Sequence, residues 1–265
     1  MPAFSPSLVR SVRYALVAVI ALAGPAIVAG KHLGLEVPRM ASIAAASASF
    51  VLIALLGGGL RSATGVLMVL GLIGCFMGDV LGPRSFIAGV AAFLVAHLFF
   101  IAAYVLRRGD PRLGLKVFLL FALLSVAVMS GLYDRGEGAE RAIVVAYAFV
   151  ISVMVGAAAS AIRLPGGRLV FAAAVVFYVS DIAVGYWKFV GGEFPYALVC
   201  YPLYYTACTM LAFGVGTVGR DREGEGEGEG EWEERRGAND QRQTTETQRA
   251  QSSTENGEEA GDGEE

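Results

Sequence analysis

The sequence predicts an all-α integral membrane protein, a bundle of about eight transmembrane helices followed by a disordered acidic tail. Of its 265 residues, 55% are hydrophobic and only 17% are charged, which is not the composition of an ordinary soluble chain. The apolar residues fall into long runs that short charged breaks separate. Charge is also unevenly distributed along the chain, because residues 221–265 hold 16 of the 24 acidic residues and only 5 of the 21 basic ones.

Eight runs in the first 220 residues are long and apolar enough to be membrane-spanning helices. A hydrocarbon layer of about 30 Å needs roughly 20 apolar residues of helix, and helices satisfy every backbone polar group within the chain. The breaks between runs are short, so consecutive helices should be antiparallel neighbours in one bundle. The predicted spans lie near residues 14–30, 40–60, 63–82, 85–106, 113–132, 142–162, 169–190 and 196–218.

The basic residues predict how the bundle is oriented. Ten lie on the side of the amino terminus and six on the other side, counting the body alone. Because cytoplasmic segments are enriched in Lys and Arg, both termini are predicted to be cytoplasmic, in an endomembrane or the plasma membrane. The predicted organisation is a cytoplasmic segment at 1–13, a transmembrane catalytic domain at 14–218 and a disordered acidic tail at 219–265, where glutamate alternates with glycine.

Three ionisable side chains fall inside predicted spans and not near their ends: Asp79, His97 and Asp181. An ionisable group in hydrocarbon costs several kcal/mol unless it is paired, hydrated or neutralised, so each is a candidate functional residue. Each is also open to a structural interpretation, as a hydrogen bond between helices. Spans three and seven run in the same direction, and at 1.5 Å per residue the two aspartates differ in depth by only about 4–5 Å. Three tyrosines add hydroxyl groups at similar depth, namely Tyr147, Tyr204 and Tyr205.

Two carboxyl groups in one cavity, one protonated and one ionised, form an acid/base pair that can hydrolyse acid-labile C–O bonds. A serine nucleophile is less favoured, because the chain has no GxSxG and only one intramembrane histidine. One histidine and two aspartates are also an unusual set of ligands for catalytic zinc, so zinc catalysis is less favoured. We therefore expect neither a metal nor a cofactor.

Several short motifs follow one another along the spans, namely Gly78-Asp79 in span three, His97-Leu98 with Tyr104 in span four, Tyr147 in span six, Ser180-Asp181 in span seven and Tyr204-Tyr205 in span eight. In this order they resemble the YhhN-type lysoplasmalogenase family, the group that contains transmembrane protein 86. The resemblance runs from about Arg39 to Phe213. The chain departs from the family pattern at Arg39, where a lysine is frequent, and at Cys208, where a glutamine is frequent.

This resemblance implies hydrolysis of the vinyl ether bond of lysoplasmalogens, which yields a fatty aldehyde and a glycerophosphoethanolamine or glycerophosphocholine. It implies that Asp79 and Asp181 are catalytic. The supporting or substrate-binding residues would be His97, Arg39, Tyr104, Tyr147, Ser180, Tyr204 and Tyr205. The expected partners are a single-chain ether phospholipid and membrane lipids, with no nucleic acid. A proton-coupled transporter, which also uses intramembrane aspartates, and a non-enzymatic membrane protein remain open alternatives.

Overall fold

A computed structural model describes residues 5–132, 138–190 and 193–218, together with Arg236. Eight α-helices account for most of these residues. Each contains a stretch long and apolar enough to cross a membrane, so the predicted bundle of eight transmembrane helices is confirmed. The helices are α1 (Pro6–His32), α2 (Glu36–Leu56), α3 (Ala63–Leu81), α4 (Phe86–Leu106), α5 (Pro111–Leu132), α6 (Gly138–Ser160), α7 (Gly167–Val190) and α8 (Glu193–Val218). The acidic tail predicted at 219–265 lies outside the described residues, except for Arg236.

Polar side chains at the starts of four helices fix where those helices begin. The hydroxyl groups of Ser5, Ser62 and Ser85 each accept a hydrogen bond from the backbone N–H three residues later. The carboxylate of Asp110 accepts from two backbone N–H groups in the first turn of α5. Such caps satisfy N–H groups that have no partner inside the helix. The cap at Ser5 explains why α1 begins at Pro6 and so extends into the segment 1–13 that the sequence placed before the first span.

Consecutive helices pack in pairs, and the pairs then assemble into one bundle. The most extensive contacts join α3 to α4, α7 to α8, α1 to α2 and α5 to α6. The prediction that all consecutive helices are neighbours is wrong for α4 and α5, which make few contacts or none, because α4 packs against α6. Further contacts of α4 with α6, and of α8 with α2 and α3, close the bundle around its interior. Helices α1 and α5 are the least buried of the eight. Five leucines of α5 accordingly point outward, as expected of a surface that faces lipid, namely Leu115, Leu119, Leu120, Leu123 and Leu124.

Small residues on α3 allow it to approach α4 closely. A Cβ atom added to Gly78 would lie 2.6 Å from the Phe93 ring, and one added to Gly74 would lie 2.8 Å from the Cβ atom of Ala96. These distances are too short for any larger residue without movement of the neighbour. Close helix approach through small residues is a usual way for membrane helices to associate. It brings the end of α3, which carries Asp79, against the α4 turn that carries Phe93 and His97.

Candidate active site

Asp79 lies in the last turn of α3, within hydrogen-bond distance of hydroxyl groups from two other helices. The Tyr204 hydroxyl of α8 donates to its Oδ2 atom over 2.8 Å. The Ser47 hydroxyl of α2 lies 2.5 Å from the same oxygen and 2.9 Å from the carbonyl oxygen of Ile43, and it has one hydrogen for these two acceptors. Both hydroxyl groups lie near the middle of their helices, and the Ser47 side chain is fully buried. Asp79 therefore joins α2, α3 and α8 at one point inside the bundle.

Asp181 lies in α7 and contacts two of the predicted residues. The Tyr147 hydroxyl of α6 donates a hydrogen bond to its Oδ2 atom over 2.8 Å. The Nε2 atom of His97 in α4 lies 3.9 Å from the same oxygen, which is beyond hydrogen-bond distance. The Asp181 side chain keeps 17% of its surface exposed. Its carboxyl group can therefore be reached from outside the packed core.

His97 is fully buried, and its two ring nitrogens are in different environments. Its Nδ1 atom lies 2.6 Å from the backbone carbonyl oxygen of Phe93. Because a carbonyl can only accept, Nδ1 carries the hydrogen and donates it. The Nε2 atom, which faces Asp181, has no hydrogen-bond partner among the residues that the structure describes. Aromatic rings enclose the imidazole, with the centroids of Phe177 and Tyr147 at 4.9 and 5.2 Å.

Aromatic contacts connect the surroundings of Asp79 to those of Asp181. The ring of Tyr204, which binds Asp79, lies edge-on to the ring of Phe177 with a centroid distance of 5.5 Å. Phe177 in turn contacts the imidazole of His97. The two carboxyl groups are thus linked through contacting side chains, and we call this set one layer of the bundle. Asp79 and Asp181 have different hydroxyl donors within it. Tyr204 and Phe177 lie between them.

A groove between α5, α6 and α7 borders Asp181. All of its lining residues belong to the spanning parts of these helices, so the groove lies at the depth of the hydrocarbon layer. Most of the lining is apolar, and Ser125, Tyr147, Tyr178 and Asp181 supply polar groups. Asp79 does not line it. The lining residues are Ser125, Val128, Met129, Val144, Tyr147, Ala148, Ile151, Tyr178, Asp181, Ile182 and Gly185.

A cluster of three hydroxyl groups lies beside this groove and was not predicted from the sequence. The Ser125 hydroxyl of α5 lies 2.9 Å from that of Ser152 in α6 and 2.8 Å from that of Tyr178 in α7. Hydroxyl residues also occur where they bind only their own helix, so the sequence offers no signal that separates these three from the rest. The cluster attaches the peripheral α5 to α6 and α7, and so fixes one wall of the groove.

Basic and aromatic side chains lie around the ends of the helices nearest this layer. The Lys31 ammonium lies 4.6 Å from the centre of the Trp187 ring, and the Lys188 ammonium lies at the same distance from the Phe86 ring. Lys188 also pairs with Glu140 at 3.1 Å. These contacts join the end of α7 to the ends of α1, α4 and α6. They give that end of the bundle the cations and amphipathic rings that suit a membrane–water interface.

The other predicted residues lie outside the hydrogen bonds to the two carboxyl groups. The Ser180 hydroxyl donates to the carbonyl of Cys200, 3.3 Å away in α8, and so links α7 to α8. Tyr104 is fully buried, and its hydroxyl has no partner in the described part of the chain. Tyr205 packs against Tyr204 with ring centroids 5.0 Å apart.

The two positions that depart from the family pattern differ in their surroundings. The Arg39 guanidinium lies at the start of α2 and pairs with Glu36 at 2.7 Å, with 12% of its side chain exposed. Cys208 is fully buried in the core formed by the helices. Arg39 is therefore at the end of the bundle where a polar head group would lie, whereas Cys208 is a packing residue of the interior.

No three His, Cys, Asp or Glu side chains within the described helices and turns lie close enough together to hold a metal ion. The groups available in the layer of the two aspartates are carboxyl, imidazole and phenol or alcohol hydroxyls. With eight spans around them, these groups define a multi-pass membrane protein with a candidate acid–base site.

The chain belongs to the YhhN family, whose sequence profile matches residues 39–215. That range contains Asp79, Asp181 and all of the side chains that bind them. Comparison with curated proteins and with solved structures found no match.

Proposed function

We propose that this protein hydrolyses the vinyl ether bond of lysoplasmalogens. The main support is the presence of two carboxyl groups, Asp79 and Asp181, in one layer of an apolar bundle, each with hydroxyl donors from other helices. Keeping two such groups in a membrane is costly, and a catalytic role would account for them. Membership of the YhhN family supports the same reaction, because the family resemblance implies it.

The reaction needs one proton donor and one proton acceptor. A carboxylic acid donates a proton to the outer carbon of the vinyl ether, and the carbon bonded to oxygen becomes an oxocarbenium ion. Water then bonds to that carbon and gives a proton to the other aspartate, which is ionised at that stage. The first aspartate, now a carboxylate, takes the hydroxyl proton of the resulting hemiacetal. The bond to the glycerol oxygen breaks, and that oxygen takes up the proton held by the second aspartate. The products are a fatty aldehyde and the glycerophospho-alcohol, and no step requires an oxidant or a reductant.

The groove between α5, α6 and α7 suits the aliphatic chain of such a substrate. It lies at hydrocarbon depth and Asp181 is part of its lining, so a lipid could reach the carboxyl group without leaving the bilayer. The cationic and aromatic end of the bundle would hold the phosphate and amine of the head group, with Arg39 as a bidentate phosphate donor. Binding of the remote chain and head group would position the vinyl ether for proton transfer.

The test is release of free aldehyde from a lysoplasmalogen by the purified full-length protein in detergent. Asp79→Asn and Asp181→Asn should each lower the rate by about 100-fold or more, the usual size of general acid–base help. Asp110→Asn is the matched control, because Asp110 caps α5 and asparagine is an equally good cap. If wild-type protein releases no aldehyde but moves a solute across liposome membranes in response to a proton gradient, the transporter alternative is correct and the hydrolase proposal is wrong.

A further inference from the structure

The hydrogen-bond partners of the two aspartates differ in a way that distinguishes their roles. At Asp79, the Tyr204 hydroxyl donates to Oδ2, and the Ser47 hydroxyl can donate to the same oxygen or to the carbonyl of Ile43. An ionised carboxylate accepts hydrogen bonds and has none to donate, so these hydroxyl groups favour the charged form. Asp79 does not line the groove. It has up to two hydroxyl donors for its ionised form, whereas Asp181 has one.

Asp181 has one hydroxyl donor, Tyr147, and a buried imidazole nitrogen on its other side. The Nδ1 atom of His97 donates to the carbonyl of Phe93, so in the neutral ring Nε2 carries a lone pair and no hydrogen. If Asp181 were ionised, this lone pair would face a negative oxygen, and Nε2 has no other partner among the residues that the structure describes. A proton on Asp181 turns the same contact into a donor facing an acceptor.

The other arrangement, an imidazolium ion beside an ionised Asp181, fits the contacts less well. His97 has no exposed surface, and 3.9 Å is too long for the charge-assisted hydrogen bond that would be needed to stabilise two buried ions. Hydrogen bonds at catalytic groups are frequently long before the substrate binds and shorten in the complex. A movement of about 1 Å would bring the Asp181 carboxyl within reach of Nε2.

We infer that Asp181 is the protonated carboxyl group that donates to the substrate, and that the Nε2 lone pair of His97 is the acceptor that positions it. This inference rests on the proposed hydrolysis and assigns its two roles, with Asp79 as the base. Asp181 lines the groove that leads from the hydrocarbon layer, where the donor must meet the vinyl carbon. His97 is a positioning residue, because it acts through Asp181 and does not line the groove.

The protonation state can be measured without any activity assay. In the infrared spectrum of the full-length protein at neutral pH, a protonated carboxyl group gives a C=O band distinct from that of a carboxylate. The band should disappear in Asp181→Asn and persist in Asp79→Asn. A band that persists in Asp181→Asn, or that only Asp79→Asn removes, would overturn the assignment. The expected pattern in a protein that releases no aldehyde would support the assignment of the proton and reject only the proposed reaction.

Two substitutions at His97 separate the two ring nitrogens. In His97→Asn the amide can still donate to the Phe93 carbonyl but nothing replaces Nε2, whereas in His97→Gln an amide oxygen can occupy the place of Nε2. We expect His97→Asn to lower kcat by about 10- to 100-fold with little change in KM, through misplacement of the donor. His97→Gln should retain at least tenfold more activity, and the carboxyl band should shift in His97→Asn but not in His97→Gln.

A purely structural role for His97 predicts the reverse order. The bond from Nδ1 to Phe93 would then matter most, so His97→Asn would be the more active and more thermostable variant. That order would refute the positioning role. So would a carboxyl band whose frequency is the same in wild type and in both variants.

Discussion

Replacing Tyr204 by phenylalanine tests how strongly the fold and the reaction depend on one hydrogen bond to Asp79. The substitution removes the hydroxyl that donates to Oδ2 over 2.8 Å. It keeps the ring that packs against Phe50, Phe93 and Phe177 at centroid distances of 6.4, 5.7 and 5.5 Å. No cavity is created, and the Ser47 hydroxyl stays within hydrogen-bond distance of Asp79. The variant therefore isolates the contribution of one donor.

The expected loss of stability is small and the expected loss of activity is larger. A hydrogen bond to a charged group contributes about 1.5–3 kcal/mol in soluble proteins, but interhelical hydrogen bonds in a membrane average about 0.6 kcal/mol, with a maximum near 1.7. Because Ser47 remains, we expect the free energy of unfolding to fall by about 0.6–1.7 kcal/mol. If Tyr204 also holds Asp79 in place as the base, the rate of aldehyde release should fall by about 10- to 100-fold.

The matched control is Tyr104→Phe, which removes a buried hydroxyl that has no partner in the described part of the chain. Loss of an unsatisfied buried hydroxyl should leave stability unchanged or raise it. Both variants are measured for thermal unfolding in detergent and for aldehyde release. If Tyr204→Phe matches the wild type in aldehyde release, the hydrogen bond to Asp79 has no role in the reaction.

Three further predictions concern packing, the tail and orientation. Gly78→Ala should destabilise the protein by about 1–3 kcal/mol in thermal unfolding, because its Cβ would lie 2.6 Å from the Phe93 ring, whereas Gly24→Ala, with open space around it, should be neutral or stabilising. A similar melting temperature for both would contradict the close contact of α3 with α4. Truncation after Arg222 should leave folding and activity intact, since the removed segment is charged and nearly devoid of apolar residues, and loss of folded protein on size exclusion would reject this. Tags at the two termini should both be cleaved by protease added to the cytoplasmic face of sealed vesicles, and protection of either tag would contradict the predicted orientation.

The sequence by itself determined the number of the spanning helices and most of their extent, although α1 begins earlier than expected. In a bilayer every backbone polar group must be satisfied inside the segment, so length and composition alone identify a span. The same solvent makes ionisable residues conspicuous, which is why Asp79, His97 and Asp181 could be singled out before any contact was known. Short connections predicted most of the contacts between consecutive helices but not the separation of α4 from α5, and the family followed from the order of the motifs.

Only the tertiary structure decided which groups meet in the interior. Helix α2 carries three serines with similar sequence surroundings, and each lies within hydrogen-bond distance of a carbonyl oxygen of its own helix. Of the three, Ser47 also has the Asp79 carboxyl group within reach, at 2.5 Å. Which of them faces α3 depends on the rotation of α2 against α3 and α8, and no local pattern encodes that rotation. Apolar side chains cover most of every spanning helix, so hydrophobic periodicity does not mark the inward face.

The same limit applies to Asp181 and its surroundings. The direction of the His97 ring, the placement of Ser180 against α8 and the groove beside α5 all arise from contacts between helices that are distant in the sequence. A sequence can show that a carboxyl group lies in the membrane, because the free-energy cost of placing it in hydrocarbon depends on its position in its own helix. Whether it holds a proton depends on which donors and lone pairs other helices bring within about 3–4 Å of it, and only packing determines this.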